Sequence, residues 1–179
     1  MDIDFTNLNY IVSQVFVIFA AISLGTSYLL KDKKTIMILC IMASIGYGGQ
    51  YLFLGAFTGV AMNIVSIIRS IWFYINAKNN KKNSIWVLIV LSVFVIAFGI
   101  ITYSNMFSII PIIATLLFTY SVWQDNTNVY RYLAVPMSIM WIVYNLCCNS
   151  LLGTITECTV LVFEIVGIIR NRKLKTKNV

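Results

Sequence analysis

Histidine is absent from this chain of 179 residues. That removes the commonest general base and the commonest metal ligand, so no Ser-His-Asp or Cys-His nucleophile and no His-based zinc site can be built. Charge is scarce as well. Only 11% of the residues are Asp, Glu, Lys or Arg, where a soluble domain carries about 25%. Proline occurs only at Pro111 and Pro136, so long helices meet few breaks. The four cysteines, Cys40, Cys147, Cys148 and Cys158, all fall within apolar stretches. The Cys147-Cys148 pair lacks metal-ligand spacing, and the cysteines read as small packing residues. No cofactor, metal or enzymatic activity is expected.

What the chain has is apolar length: 60% of it is hydrophobic. Runs of about 20 apolar residues mark membrane-spanning helices. Seven are read here: Ile11–Leu30, Thr35–Leu54, Gly59–Ala77, Ser84–Tyr103, Met106–Trp123, Val129–Cys148 and Leu151–Ile169. The connections are short, so residues 1–179 form one membrane domain with no soluble part. Met1–Asn9 carries Asp2 and Asp4 and no basic residue, which does not fit a signal peptide.

The net charge of +7 is better explained by a membrane than by nucleic acid. Lys31, Lys33 and Lys34 occupy the first loop, and Lys78, Lys81 and Lys82 the third. Arg131 opens the sixth span, and Arg170, Arg172, Lys173, Lys175 and Lys177 form the tail. The alternate loops, 55–58, 104–105 and 149–150, are uncharged. By the positive-inside rule the basic side is cytoplasmic, with the N-terminus outside and the C-terminus inside.

The chain also matches itself at an offset of 94 positions, without gaps. Ser44-Ile45 falls on Ser138-Ile139, Leu52 on Leu146, Gly59 on Gly153, Ile71 on Ile165 and Ile75 on Ile169. The polar positions meet too, Tyr47 on Trp141 and Asn63 on Glu157. The expected fold is all-α, with two parallel three-helix bundles (10–82 and 104–171), a linker helix (83–103) that restores orientation, and a basic tail (172–179). The linker run, Ser84–Tyr103, has no charge and belongs at the periphery.

Three charges lie deep in spans: Arg69, Glu157 and Glu164. Each costs about 2.5–3.5 kcal/mol at a bilayer centre, so each should face the bundle interior and be paired or functional. Arg69 and Glu164 sit at nearly equal depth on the third helices of the two bundles. A salt bridge between them would be a static tie or a gate; no contact is the remaining option. Glu157 is two turns from Glu164 on one helix face, nearer the uncharged loops. It would bind a cationic substrate, couple to protons, or close a helix end at the wet interface. Trp141 and Asn145 share a face of the sixth span, with Tyr144 beside them, and suit either packing or stacking and hydrogen bonding to a small polar ligand. The Gly46, Gly48, Gly49 cluster with Gln50 lies inside a span and reads as close helix packing, not as a phosphate loop.

The 3+1+3 pattern resembles the SWEET-type sugar facilitators and the PnuC-type vitamin transporters. In the former, an aromatic on the second helix and an Asn on the third line a central site. The resemblance assigns that role here to Tyr47 with Asn63 and to Trp141 with Glu157. Those families carry prolines in both bundles, whereas this chain has them only in the second half, and the second Asn is replaced by Glu157. Sugar specificity is not carried over. Closer matches are Leu54-Gly55-Ala56 with Asn63 through Arg69, then Trp141-Ile142-Val143-Tyr144-Asn145, Leu152-Gly153-Thr154-Ile155-Thr156-Glu157 and Ile168-Ile169-Arg170. These resemble the YgjV-type bacterial inner-membrane proteins and imply a bacterial cytoplasmic membrane.

The sequence thus leads to a small-molecule transporter or facilitator with a central site formed by Tyr47, Asn63, Trp141, Asn145 and Glu157. A receptor or sensor on the same fold, and a subunit that needs a partner chain, are the alternatives. The expected partners are the lipid bilayer and a small polar ligand, with a homo-oligomer left open and no nucleic acid.

Overall fold

A computed structural model describes residues 8–124 and 126–176. Asp2 and Asp4 at the start and Lys177 in the tail lie outside the described residues. The described chain is all helical: α1 Leu8–Leu29, α2 Lys33–Phe53, α3 Phe57–Lys78, α4 Ile85–Ile101, α5 Ile109–Trp123 entered through a 3-10 turn at Met106–Ser108, α6 Thr127–Cys147 and α7 Leu151–Thr176. Each coincides with one of the seven expected apolar runs. The largest difference is at α7, which continues to Thr176 through residues expected to be tail.

Five helices are long and apolar enough to cross a membrane: α1, α2, α3, α5 with its leading turn, and α7. Seven crossings were expected. Helix α4 has 17 residues, about 25 Å at 1.5 Å per residue, slightly short of a hydrocarbon core of about 30 Å. Helix α6 has 21 residues but carries Asn128, Arg131 and Asn145 among its apolar ones. In lipid, helices satisfy every backbone group internally, which is why an apolar chain of this kind takes no other form.

The helices pack in a ring. Helix α2 lies against α1 and α3, α6 against α5 and α7, and the ring closes through α1 on α7 and α3 on α5. Helix α4 touches α3 and α5 from outside. It buries only Leu91, Val95 and Gly99, a single stripe of i, i+4, i+8 spacing. The outward faces are apolar, as with Val15, Ile22, Ile64, Trp72 and Val162. Much of the polarity points inward, with Gln50, Asn63, Arg69, Asn145, Glu157 and Glu164 all nearly inaccessible. This inverts the soluble pattern, in which such charges are almost never fully buried.

The turns that end α2 and α6 are alike. Gly55 (φ +70°) and Asn149 (φ +55°) are both left-handed. Each is flanked by the same pair of bonds, Gly55 N to Leu52 O and Ala56 N to Tyr51 O in one, Asn149 N to Leu146 O and Ser150 N to Asn145 O in the other. This is the double hydrogen bond that closes a helix C-terminus through a left-handed residue. The two turns lie 94 positions apart.

Helix α2 starts at a side-chain cap. The Thr35 amide (2.9 Å) and hydroxyl (2.6 Å) both donate to Asp32 Oδ2. The Thr35 hydroxyl bond, then the amide bond, hold the Asp32 carboxyl below its ordinary value. Its stabilisation is therefore complete above the unfolded pKa of about 4 and is lost as pH falls through the lower folded value. Asp32→Ala should cost about 1 kcal/mol at neutral pH. The gap in thermal midpoint between the two proteins should narrow below about pH 4; a gap that stays constant into acid would refute the cap.

Candidate functional site

A cavity of about 50 Å³ lies between the helices, with room for roughly four water molecules. Tyr47, Asn63, Trp141 and Glu157 line it, together with Ser66 from α3 and Phe118 from α5. Three pairs of its lining residues stand 94 positions apart: Leu24 and Phe118, Tyr47 and Trp141, Asn63 and Glu157. Asn63 Nδ2 is tied to Gly59 O at 2.9 Å. Glu157 is 2% exposed and its Oε2 has no hydrogen-bond partner. The hydroxyl of Tyr47 lies beside the Glu157 carboxyl. Glu157 is thus a cavity-wall residue, not a helix end at a wet interface.

Aromatic clusters flank the cavity on two sides. Toward the uncharged loops, Tyr51 stacks on Trp141 at 5.8 Å and meets the edge of Tyr144 at 5.5 Å, while Trp141 meets Tyr144 at 5.8 Å. Against these rings sits a buried polar cluster. Tyr51 donates to Asn145 Oδ1 (3.2 Å), and Gln50 Nε2 donates to Asn145 Oδ1 (3.4 Å) and Ser150 Oγ (2.6 Å). Asn145 therefore does not line the cavity, where it was expected, but braces its lid. Tyr144 also borders an open pocket of about 310 Å³ formed by the uncharged loops, with Thr58, Asn105 and Asn149. Toward the basic loops, Tyr28 stacks on Tyr130 at 5.0 Å and Phe118 packs on Tyr130 at 5.8 Å. The Tyr130 hydroxyl is held by Ser27 at 2.8 Å.

Arg69 and Glu164, matched in depth, do not meet. Fully buried Arg69 donates Nη1 to Thr119 Oγ1 at 3.2 Å and lies 4.4 Å over the Phe118 ring. Its Nε and Nη2 have no partner. Glu164 Oε1 accepts from the Ser138 hydroxyl at 2.7 Å, and its Oε2 is unpartnered. The reason is rotational position around the ring. Helix α3 packs on α2, α4 and α5, whereas α7 packs on α1 and α6. Equal depth does not bring two helices together. Glu157 does not take the place of Glu164 as partner to Arg69, since it faces Tyr47.

Arg131, expected as an orientation charge at a span edge, is 3% exposed. It donates Nε to Tyr28 O (3.0 Å) and Nη2 to Leu30 O (2.5 Å). A cation placed on the last carbonyls of α1 satisfies orphan acceptors and opposes the helix dipole. The glycine cluster does pack helices: a Cβ on Gly46 would stand 2.8 Å from Ala20 Cβ and from Phe16 O of α1. Gln50, Tyr51, Ser66 and Phe118 were missed by sequence reasoning. Tyr51 carried a usable signal, because it lies 94 positions from Asn145. Among the described residues, no group of His, Cys, Asp or Glu could hold a metal ion.

These features define a polytopic all-α membrane protein with an internal cavity that holds one buried carboxyl. The profile of the bacterial inner membrane protein family Imp-YgjV matches residues 11–175, and the chain belongs to that family. Searches of the curated proteins and of the solved structures give no match.

Proposed function

We propose that this protein is a facilitator or transporter of a small polar solute, with one central site between two three-helix repeats. The observation that carries the reading is the central cavity, built from residues of both halves and flanked by aromatic clusters. The ring order supports a parallel repeat. Helix α2 is central in its trio and α6 in the other, and the two junctions, α1 on α7 and α5 on α3, exchange under the offset. Tyr51 and Asn145, equivalent positions, touch each other, as residues on a twofold axis would. Helix α4 serves as the crossing that restores direction.

Reconstituted protein should make liposomes permeable to small polar solutes. Filling the cavity with Ser66→Phe should abolish that flux, and Ile96→Phe on the outer face of α4 should not. A folded Ser66→Phe protein that conducts as before would remove the cavity from the path. Absence of flux in the unmodified protein would favour a receptor or a partner-dependent subunit.

In the proposed topology the uncharged loops are external. In a background without the native cysteines, a cysteine at Asn105 should be labelled by an impermeant maleimide in intact cells, and one at Lys82 only after lysis. The opposite pattern would invert the protein.

A further inference from the structure

We infer that the central cavity is a site for a small organic cation of alkylammonium size, with Glu157 as its counter-charge. This deepens the transport reading and rests on it for the cavity's role. The wall holds a single ionisable carboxylate, from Glu157, and no basic side chain. Its equivalent across the offset, Asn63, is an amide, so the pair supplies one negative charge and not two. The Asn63 amide is already engaged with Gly59 O, while Glu157 Oε2 is buried without a partner, with the Tyr47 hydroxyl beside the carboxyl.

Four aromatic residues, Tyr47, Tyr51, Phe118 and Trp141, share the wall with small and aliphatic side chains such as Ala43, Ser66 and Leu24. A carboxylate among aromatic rings is the chemistry that receives an ammonium group, because the ring quadrupole and the counter-ion together offset the lost hydration. A neutral polyol would leave the carboxylate uncompensated, and an anion would be repelled by it. The volume fixes the size. About 50 Å³ holds an ion such as methylammonium or tetramethylammonium and nothing of drug size. Arg69 is not the partner of Glu157: its Nη1 donates to Thr119 and its guanidinium lies over the Phe118 ring.

Thermal unfolding of the detergent-solubilised full chain tests this, with methylammonium and tetramethylammonium as probes. At constant ionic strength and about 100 times the dissociation constant, the cation that fits should raise the midpoint by about 5–10 °C. Tert-butanol and acetate should leave it unchanged. Glu157→Gln should erase the cation shift and Glu164→Gln should retain it. Adding Asn63→Asp to Glu157→Gln should restore it, with the charge on the opposite wall. Equal shifts from tert-butanol, no shift from either cation, or an undiminished shift in Glu157→Gln would each overturn the proposal. Liposome flux separates the two readings. A Glu157-dependent shift without flux keeps the site and discards transport; flux of neutral solutes with no cation shift discards the cation and keeps transport.

Discussion

Arg69→Met is expected to raise stability, by about 1–4 kcal/mol. Two of the three guanidinium nitrogens have no hydrogen-bond partner, and no carboxylate faces them. Methionine keeps most of the side-chain volume and its contact with Phe118, and removes the unpaired charge. Thr119 does not become an orphan, because its hydroxyl also donates to Thr115 O at 2.7 Å. The double mutant with Glu164→Leu is the sharper measurement. Side chains that do not touch should combine additively, to within about 0.5 kcal/mol, whereas a salt bridge would leave a coupling of about 0.5–3 kcal/mol. Midpoints of the two single mutants and the double mutant give that coupling directly. A strongly destabilised Arg69→Met with large coupling would mean that the two charges pair after all in the dominant state.

The largest loss is expected at Gly46. A methyl group there would press on the Phe16 carbonyl, which is backbone and cannot swing aside, and on Ala20 Cβ, each at 2.8 Å. Helices α1 and α2 would have to separate along their shared face, and Gly46→Ala should cost about 1–3 kcal/mol despite its better helix propensity. Gly48→Ala is the control. Its Cβ would meet only Asn63 Cβ, at 3.4 Å, and it should be neutral or gain a few tenths of a kcal/mol. Equal midpoints for the two variants would disprove the close approach.

The helices were legible because the signal is cumulative. A run such as Leu151–Ile169 needs no knowledge of its neighbours to be read as a span. What sequence could not supply was rotation about the ring. Depth can be read by counting residues; which neighbour each helix faces depends on packing from all the others. The same gap explains Asn145, which shares a helical face with Trp141 yet lies one layer outside the cavity. Arg131 has a role that its position did not reveal. A place at a span edge suits an orientation charge and also a cap on a neighbouring helix, and only the location of the α1 terminus shows the second. Tyr47, Asn63, Trp141 and Glu157, picked out by the offset, do line one cavity.

The clusters that flank the cavity are uncharged rings, Tyr51, Trp141 and Tyr144 on one side and Tyr28 with Tyr130 on the other. Parting them separates dispersion contacts and moves no net charge across the bilayer. A charge-paired gate would feel the membrane potential at about 2.3 kcal/mol per elementary charge per 100 mV, and its outer part would weaken with salt. The ring closures should feel neither. On the proposed transport reading, entry of a neutral solute should therefore vary little between polarised and depolarised vesicles and between low and high ionic strength.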